Sequence, residues 1–225
     1  MKATWILLLA TPALLAGCAG RQADPNFAYC TATSQAHKDG DYARAVEQAD
    51  LCQQKNTLSP RGLSALYSIQ ADAYEQLKRY PEAIATQEKS IKVDPHTYGR
   101  DVLTLSRYYR VAGNPQKALE LVESNLDKGL GEAGVGAGFH MPTYYHQGLA
   151  LLDLGRNREA AEALSAGLMK QPDYAWAHYY RGVAYDRLGQ RSDARSDFQA
   201  FAKSVDKQYV EPEHKQQLEQ YQISL

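Results

Sequence analysis

Apolar residues recur at helical spacing along most of the chain. In the stretch KALELVESNLDK, Ala118, Leu121, Val122 and Leu126 share one face of a helix. Near the C-terminus, Leu218, Tyr221 and Leu225 repeat that spacing behind Pro212, a residue suited to a first helical turn. Gly155 and Gly189 punctuate turns between such helices, and Pro172 can end one. The pattern predicts an all-α protein.

The helices follow a period. Met141 to Tyr174 aligns with Ala175 to Gln208 without a gap, which sets a repeat of 34 residues. The eighth place is Gly in both (Gly148, Gly182), the twentieth is Ala (Ala160, Ala194), and the twenty-fourth is large and apolar (Leu164, Phe198). A bulky side chain where two helices cross would force them apart, so small residues belong at the crossing and larger ones in the surrounding grooves. This pattern resembles the tetratricopeptide repeat. The resemblance implies two antiparallel helices per unit, stacked into a right-handed α-solenoid.

Three further units are placed upstream. Ser64 to Thr97 has Tyr67, Ala71, Tyr74, Ala83 and Pro95 in the expected places, with RYPEAI as a turn into its second helix. Gly99 to Glu132 keeps Tyr109, Ala118 and Val122 but carries Ser106 at the small eighth place and Leu130 in place of proline. Asn26 to Ser59 retains Tyr29 and GDYARAV with Ala45. Stacked units require polar ends, and the tail EPEHKQQLEQYQISL is expected to be a C-terminal capping helix. The expected organisation is a leader over 1–17, a lipidated linker over 18–25, three units within 26–132, a Gly-rich joint at 133–140, two units over 141–208 and the cap at 209–225.

The leader, MKATWILLLATPALLAGC, has a lysine at position 2, an apolar run and small residues before Cys18. The run, broken by Thr11 and Pro12, is short of the ~20 residues that span a bilayer. Leu15, Ala16, Gly17 and Cys18 resemble the lipobox of bacterial lipoproteins. That resemblance implies cleavage before Cys18 and a diacylglycerol on its sulfur, so that Cys18 tethers the chain to a membrane. Stable tethering takes two or more acyl chains. Ala19, not Asp, follows the cysteine, which favours the outer membrane.

Lys and Arg (25) nearly balance Asp and Glu (26), so no basic excess points to nucleic acid. Gly129, Gly131 and Gly134 spell GxGxxG, but a dinucleotide loop follows a strand, whereas here a repeat helix precedes it. The glycines read as a joint that interrupts the period by eight residues, and no cofactor is expected. In an exported chain an even cysteine pair invites a disulfide. Cys30 and Cys52 fall at the fifth and twenty-seventh places of their unit, which lie opposite one another in an antiparallel pair; two buried free thiols are the alternative.

In tetratricopeptide arrays, residues at the second, fifth, ninth, twelfth and thirteenth places of the first helices face a bound peptide. By that resemblance Arg100, Arg107 and Arg110 form a cationic stripe beside Leu103, joined by Tyr145, Trp176 and Tyr179. A solvated face with tyrosine as packing filler is the plainer reading. No HExxH, GxSxG or Walker-type loop is present, and His140, His146 and His178 read as packing or surface residues. The expected function is non-catalytic: an adaptor for a protein or peptide partner in the bacterial envelope, in complex assembly or cell-wall remodelling. Direct peptidoglycan binding and, more remotely, an enzyme for a small substrate are the alternatives.

Overall fold

A computed structural model of the chain describes residues 27–95, 98–127 and 141–225. The lipobox with Cys18, the Gly-rich joint and His140 lie outside the described residues.

Among the described residues ten helices form five antiparallel pairs: α1 (Phe27–Lys38) with α2 (Tyr42–Lys55), α3 (Pro60–Gln76) with α4 (Tyr80–Val93), α5 (Tyr98–Val111) with α6 (Pro115–Asp127), α7 (Met141–Asp153) with α8 (Asn157–Leu168), and α9 (Ala175–Arg187) with α10 (Arg191–Ser204). A 3-10 turn at Lys207–Tyr209 leads into α11 (Pro212–Glu219). No strand occurs among the described residues. Each pair packs on the next through its second helix, and first helices of neighbouring units touch, α1 with α3, α5 with α7 and α7 with α9. The first helices therefore line the inner face of an all-α solenoid and the second helices its outer face.

Close approach within a pair depends on the small eighth place. A Cβ on Gly148 would lie 2.6 Å from Leu164 and one on Gly182 would lie 2.8 Å from Phe198, so each glycine admits the large twenty-fourth residue of its own unit. Adding a methyl there forces repacking at about 1–3 kcal/mol. In the third unit Ser106 replaces the glycine, and its buried hydroxyl donates to Ala118 O at 3.3 Å across the pair, which satisfies the added polar atom.

All five hairpins close in one way. Gly40 N bonds to His37 O and Asp41 N to Ala36 O, and the same two bonds recur at Gly113, Gly155 and Gly189. This closure needs a left-handed residue, and those glycines have φ between 73° and 80°. The second hairpin uses Lys78 instead, at φ 59°.

Interior chemistry differs along the array. In the second unit the twenty-fourth place holds Gln87, 1 % exposed, with neither amide oxygen nor nitrogen hydrogen-bonded among the described residues. Nearby, Ser90 Oγ lies 2.9 Å from Ser64 Oγ, 3.1 Å from Ser68 Oγ and 3.3 Å from Asp101 Oδ2. The first unit is stapled: Cys30 and Cys52 form a disulfide between α1 and α2, with Cα atoms 4.9 Å apart. At the other end, Phe198, Phe201, Leu218 and Tyr221 make one apolar cluster that seats α11 on the last pair.

Candidate functional site

The inner face of the first helices is the candidate site, and its charged groups are joined from unit to unit. His37 Nε2 on α1 lies 2.6 Å from Asp72 Oδ2 on α3. Arg107 on α5 reaches back to α3, donating to Glu75 and lying 3.7 Å from Asp72. Arg110, also on α5, reaches forward to α7 and donates to Asp153 Oδ2 at 2.6 Å. Further on, Arg187 of α9 donates to Leu152 O on α7 at 2.9 Å. Asp186 of α9 accepts from Gln217 Nε2 at 3.0 Å and from the Tyr221 hydroxyl, groups on and just beyond α11. These residues come from the ninth, twelfth and thirteenth places of their units, with Gln217 and Tyr221 continuing the count into the tail. The result is a ladder of polar rungs running along the solenoid.

The ladder corrects the expected cationic stripe. Arg107 and Arg110 are spent on carboxylates of the second and fourth units, because a guanidinium at a unit boundary lies within reach of the neighbouring first helix. Arg100 is the most exposed of the three, its side chain 78 % exposed and its Nε paired at 3.8 Å with Asp101 Oδ1. Asp72, Glu75, Asp153 and His37 are the partners that reading the third unit by itself misses. Part of their signal was present in the sequence: the ninth and twelfth places of the second unit, Asp72 and Glu75, carry the opposite charge, and in the fourth unit the carboxylate stands one place later, at Asp153.

The aromatic part is also corrected. Tyr179 is 6 % exposed, packed on Phe198 and Phe201 and covered by His214 of α11, whose ring centroid is 5.0 Å away. Trp176 is half-buried between Phe201 at 5.1 Å and His214 at 4.9 Å. Tyr145 packs against Tyr174 and Tyr180 at 5.4 and 5.8 Å, and burial raises its hydroxyl pKa. These rings hold α7, α9 and α11 together. They are not a free paratope, because the tail lies over the fifth unit's inner face.

Two histidines take opposite environments. His146 on α7 is partly buried with its Nδ1 shut off from solvent, and desolvation, with Arg110 and Arg107 adding to it, lowers its pKa to about 4; its Nδ1 has no partner among the described residues. His178 on α9 sits between acceptors, with Nδ1 2.9 Å from Asp197 Oδ1 and Nε2 2.8 Å from Pro172 O. Asp197 is already held by two bonds from Arg181, each 2.7 Å, and Arg181 also donates to Ser165 Oγ at 3.0 Å. A carboxylate paired in this way and a carbonyl can only accept, so both ring nitrogens must donate. The hydrogen bond to Asp197 accordingly raises the His178 pKa.

Three matches to family models now bear on this geometry. A model described as TPR repeat matches residues 148–189, and two described as tetratricopeptide repeat match 64–97 and 176–206. The fold is a tetratricopeptide-repeat solenoid. Among solved structures, the array is similar to MamA from Desulfovibrio magneticus RS-1 (residues 41 to the end), with a TM-score of 0.64 at 16% identity over 83% of this chain and 98% of that one. A second MamA crystal structure gives a TM-score of 0.61 at 17% identity over 89% and 97% of the two chains. YrrB, described as a TPR protein with an unusual peptide-binding site, gives 0.56 at 17% identity over 88% and 92%. At these identities the likeness is one of fold. No curated protein matches the array by sequence.

Chemically, the array offers held charges and hydrogen-bonding groups on a rigid helical wall. Among the described residues no three His, Cys, Asp or Glu side chains are placed to hold a metal, and no helix is long and apolar enough to cross a membrane.

Proposed function

We propose that the chain is a scaffold that docks a protein or peptide partner on the inner face of its first helices, and that a lipid on Cys18 fixes it to the periplasmic face of a bacterial outer membrane. The tetratricopeptide fold supports a protein-interaction role in general. The observation that carries the inner-face reading is the ladder of partly exposed rungs through Asp72, Arg107 and Arg110, with the well-exposed Arg100 beside them. Such groups are already ordered and partly desolvated, so a peptide laid across them gains directed hydrogen bonds at little cost in side-chain entropy. Lipid attachment rests on the lipobox residues Leu15 to Cys18. The same reading makes the chain an adaptor in envelope assembly or wall remodelling, and a binder in place of a catalyst.

Reversing all three arginines is a poor test, because it would set acids against Glu75 and Asp153. A photo-crosslinking residue at position 100, compared with one at the exposed outer-face position Lys89, avoids that conflict. A discrete envelope protein captured from position 100 and not from 89 is the expected result. Equal capture from both, or co-sedimentation with purified sacculi in place of a protein, would replace inner-face protein docking with non-specific or wall binding. Cys18→Ser should abolish palmitate incorporation and move the chain from the membrane to the soluble fraction; retention of the label would remove the anchor.

A further inference from the structure

The inner face of the fifth unit is already occupied, by a segment of the chain itself. Trp176, Tyr179, Val183 and Asp186 stand at the second, fifth, ninth and twelfth places of that unit, and all four meet the tail. His214 lies edge-on to Trp176 at 4.9 Å and to Tyr179 at 5.0 Å. Val183 packs on the cluster that contains Leu218 and Tyr221, and Asp186 accepts from Gln217 and from the Tyr221 hydroxyl.

The tail makes these contacts with one stripe. His214, Leu218 and Tyr221 stand at i, i+4 and i+7, the spacing of a single helix face. Leu218 and Tyr221 are buried. Tyr221 is gripped on several sides: its ring is 4.9 Å from Phe198 and 5.0 Å from the Arg191 guanidinium, and its carbonyl accepts from Arg195 at 2.8 Å. Glu213, Lys215, Gln216 and Glu219, on the other side of α11, are exposed.

α11 is nevertheless held more lightly than the first helices whose place it takes. Each of α3, α5, α7 and α9 packs both on the preceding unit and on a second helix of its own, whereas α11 rests on the fifth unit alone among the described residues. It has eight residues, too few for a helix to persist in water without its contacts. The approach to it, Asp206 to Tyr209, is exposed, so nothing but the tail's own side chains and the buried Val210 has to let go.

We infer that the tail is a displaceable lid on the last berth of the inner face, and that a partner's amphipathic helix carrying an aromatic ring, a leucine and a tyrosine at i, i+4 and i+7 takes its place. The inference rests on the inner-face reading and names the chemistry of the partner. The seated tail shows what the berth selects: a ring set edge-on to Trp176 and Tyr179, a branched apolar side chain, and a phenol that donates to Asp186 between Arg191 and Arg195. A tethered tail competes at high effective concentration, so only a helix that matches the whole stripe displaces it.

The test uses the full chain with Trp5→Phe, which leaves Trp176 as its one tryptophan. In hydrogen exchange the amides of α11 should open on their own, about tenfold or more faster than those of α9 and α10. The binding probe is a peptide of residues 211–225 added to the Tyr221→Ala chain, whose lid is loosened. Trp176 emission in that chain should move to the red, and the peptide should move it back saturably. The same peptide carrying Leu218→Ala and Tyr221→Ala should not, and the chain with an intact tail should bind the unaltered peptide about tenfold or more weakly, since its own tail competes. Should Tyr221→Ala speed exchange in α9 and α10, His214→Ala, which leaves the Phe198 contact in place, is the loosened chain instead. Exchange of α11 only together with α9 and α10, no response of Trp176 to the peptide in the loosened chain, an equal response to the doubly substituted peptide, or equal affinity with the tail intact would overturn the lid. Because the probe is the tail's own sequence, such a failure is separate from capture at position 100, which tests inner-face docking itself.

Discussion

The second unit and the fifth are the same hairpin with opposite interiors. In the fifth, Gly182 lets Phe198 into the crossing, and Phe198 then meets Tyr179 and Tyr221, so the pair is held by aromatic burial. The second places Gln87 at that spot and surrounds its crossing with Ser64, Ser68 and Ser90, so it is held by hydrogen bonds. The backbone path is shared because it depends on a small residue at one place and a left-handed turn at another. Stability is not shared. Burial gains scale with apolar area, whereas a hydrogen bond returns only about 1 kcal/mol net, and an unmatched buried amide loses that much or more.

The largest expected effect is at Phe198. Phe198→Ala should cost about 3–5 kcal/mol in urea unfolding followed by circular dichroism. Gln87→Ala should cost less than about 1 kcal/mol, since it removes two unmatched polar atoms along with its carbons; equal losses at the two sites would end the comparison. Replacing both cysteines, Cys30→Ser with Cys52→Ser, should remove about 3 kcal/mol from the first pair by the chain-entropy argument. Hydrogen exchange would show this as faster amides in α1 and α2 with those of α9 to α11 unchanged. A smaller effect of opposite sign is expected for Gln87→Leu, a gain of about 1–2 kcal/mol that makes the second unit resemble the fourth. A thermal midpoint that does not rise would mean that the amide has partners in solution.

Acidity should shift the balance least, and through both histidines. His146 is depressed from 6.5 to about 4 in the fold, so between those values the unfolded chain binds a proton that the native chain does not, and stability falls as pH drops through that window. His178 is raised above 6.5; its contribution is complete below 6.5 and is lost as pH rises through the folded value. Stability should therefore peak near pH 6.5. His146→Phe should flatten the acid limb and His178→Asn the alkaline limb, as read from thermal midpoints across pH 4 to 8; limbs that persist in these variants would assign them to other groups.

Much of the fold could be read from spacing, because Gly148 with Leu164 and Gly182 with Phe198 lie within one unit, where period and contact coincide. The inner face was less legible. Arg110 meets Asp153 only because two first helices stack, a relation outside any one unit, so the arginines look unmatched when a single helix is read. Tyr179 reads as an open groove residue for a related reason: its place in the unit says that it faces inward, but not that His214 of the tail covers it. Periodicity reveals which way a residue faces; occupancy of that face depends on the neighbours' register.

The rungs also make the joining of the units adjustable. In a linear array, how far unfolding spreads depends on the strength of each contact between neighbours. From α1 to α7 the inner-face part of that contact is carried by partly exposed charges such as Glu75 with Arg107, which dissolved salt screens, whereas around α9 and α11 aromatic burial contributes and is insensitive to it. Added salt is therefore expected to loosen the coupling among the early units more than it loosens the C-terminal block.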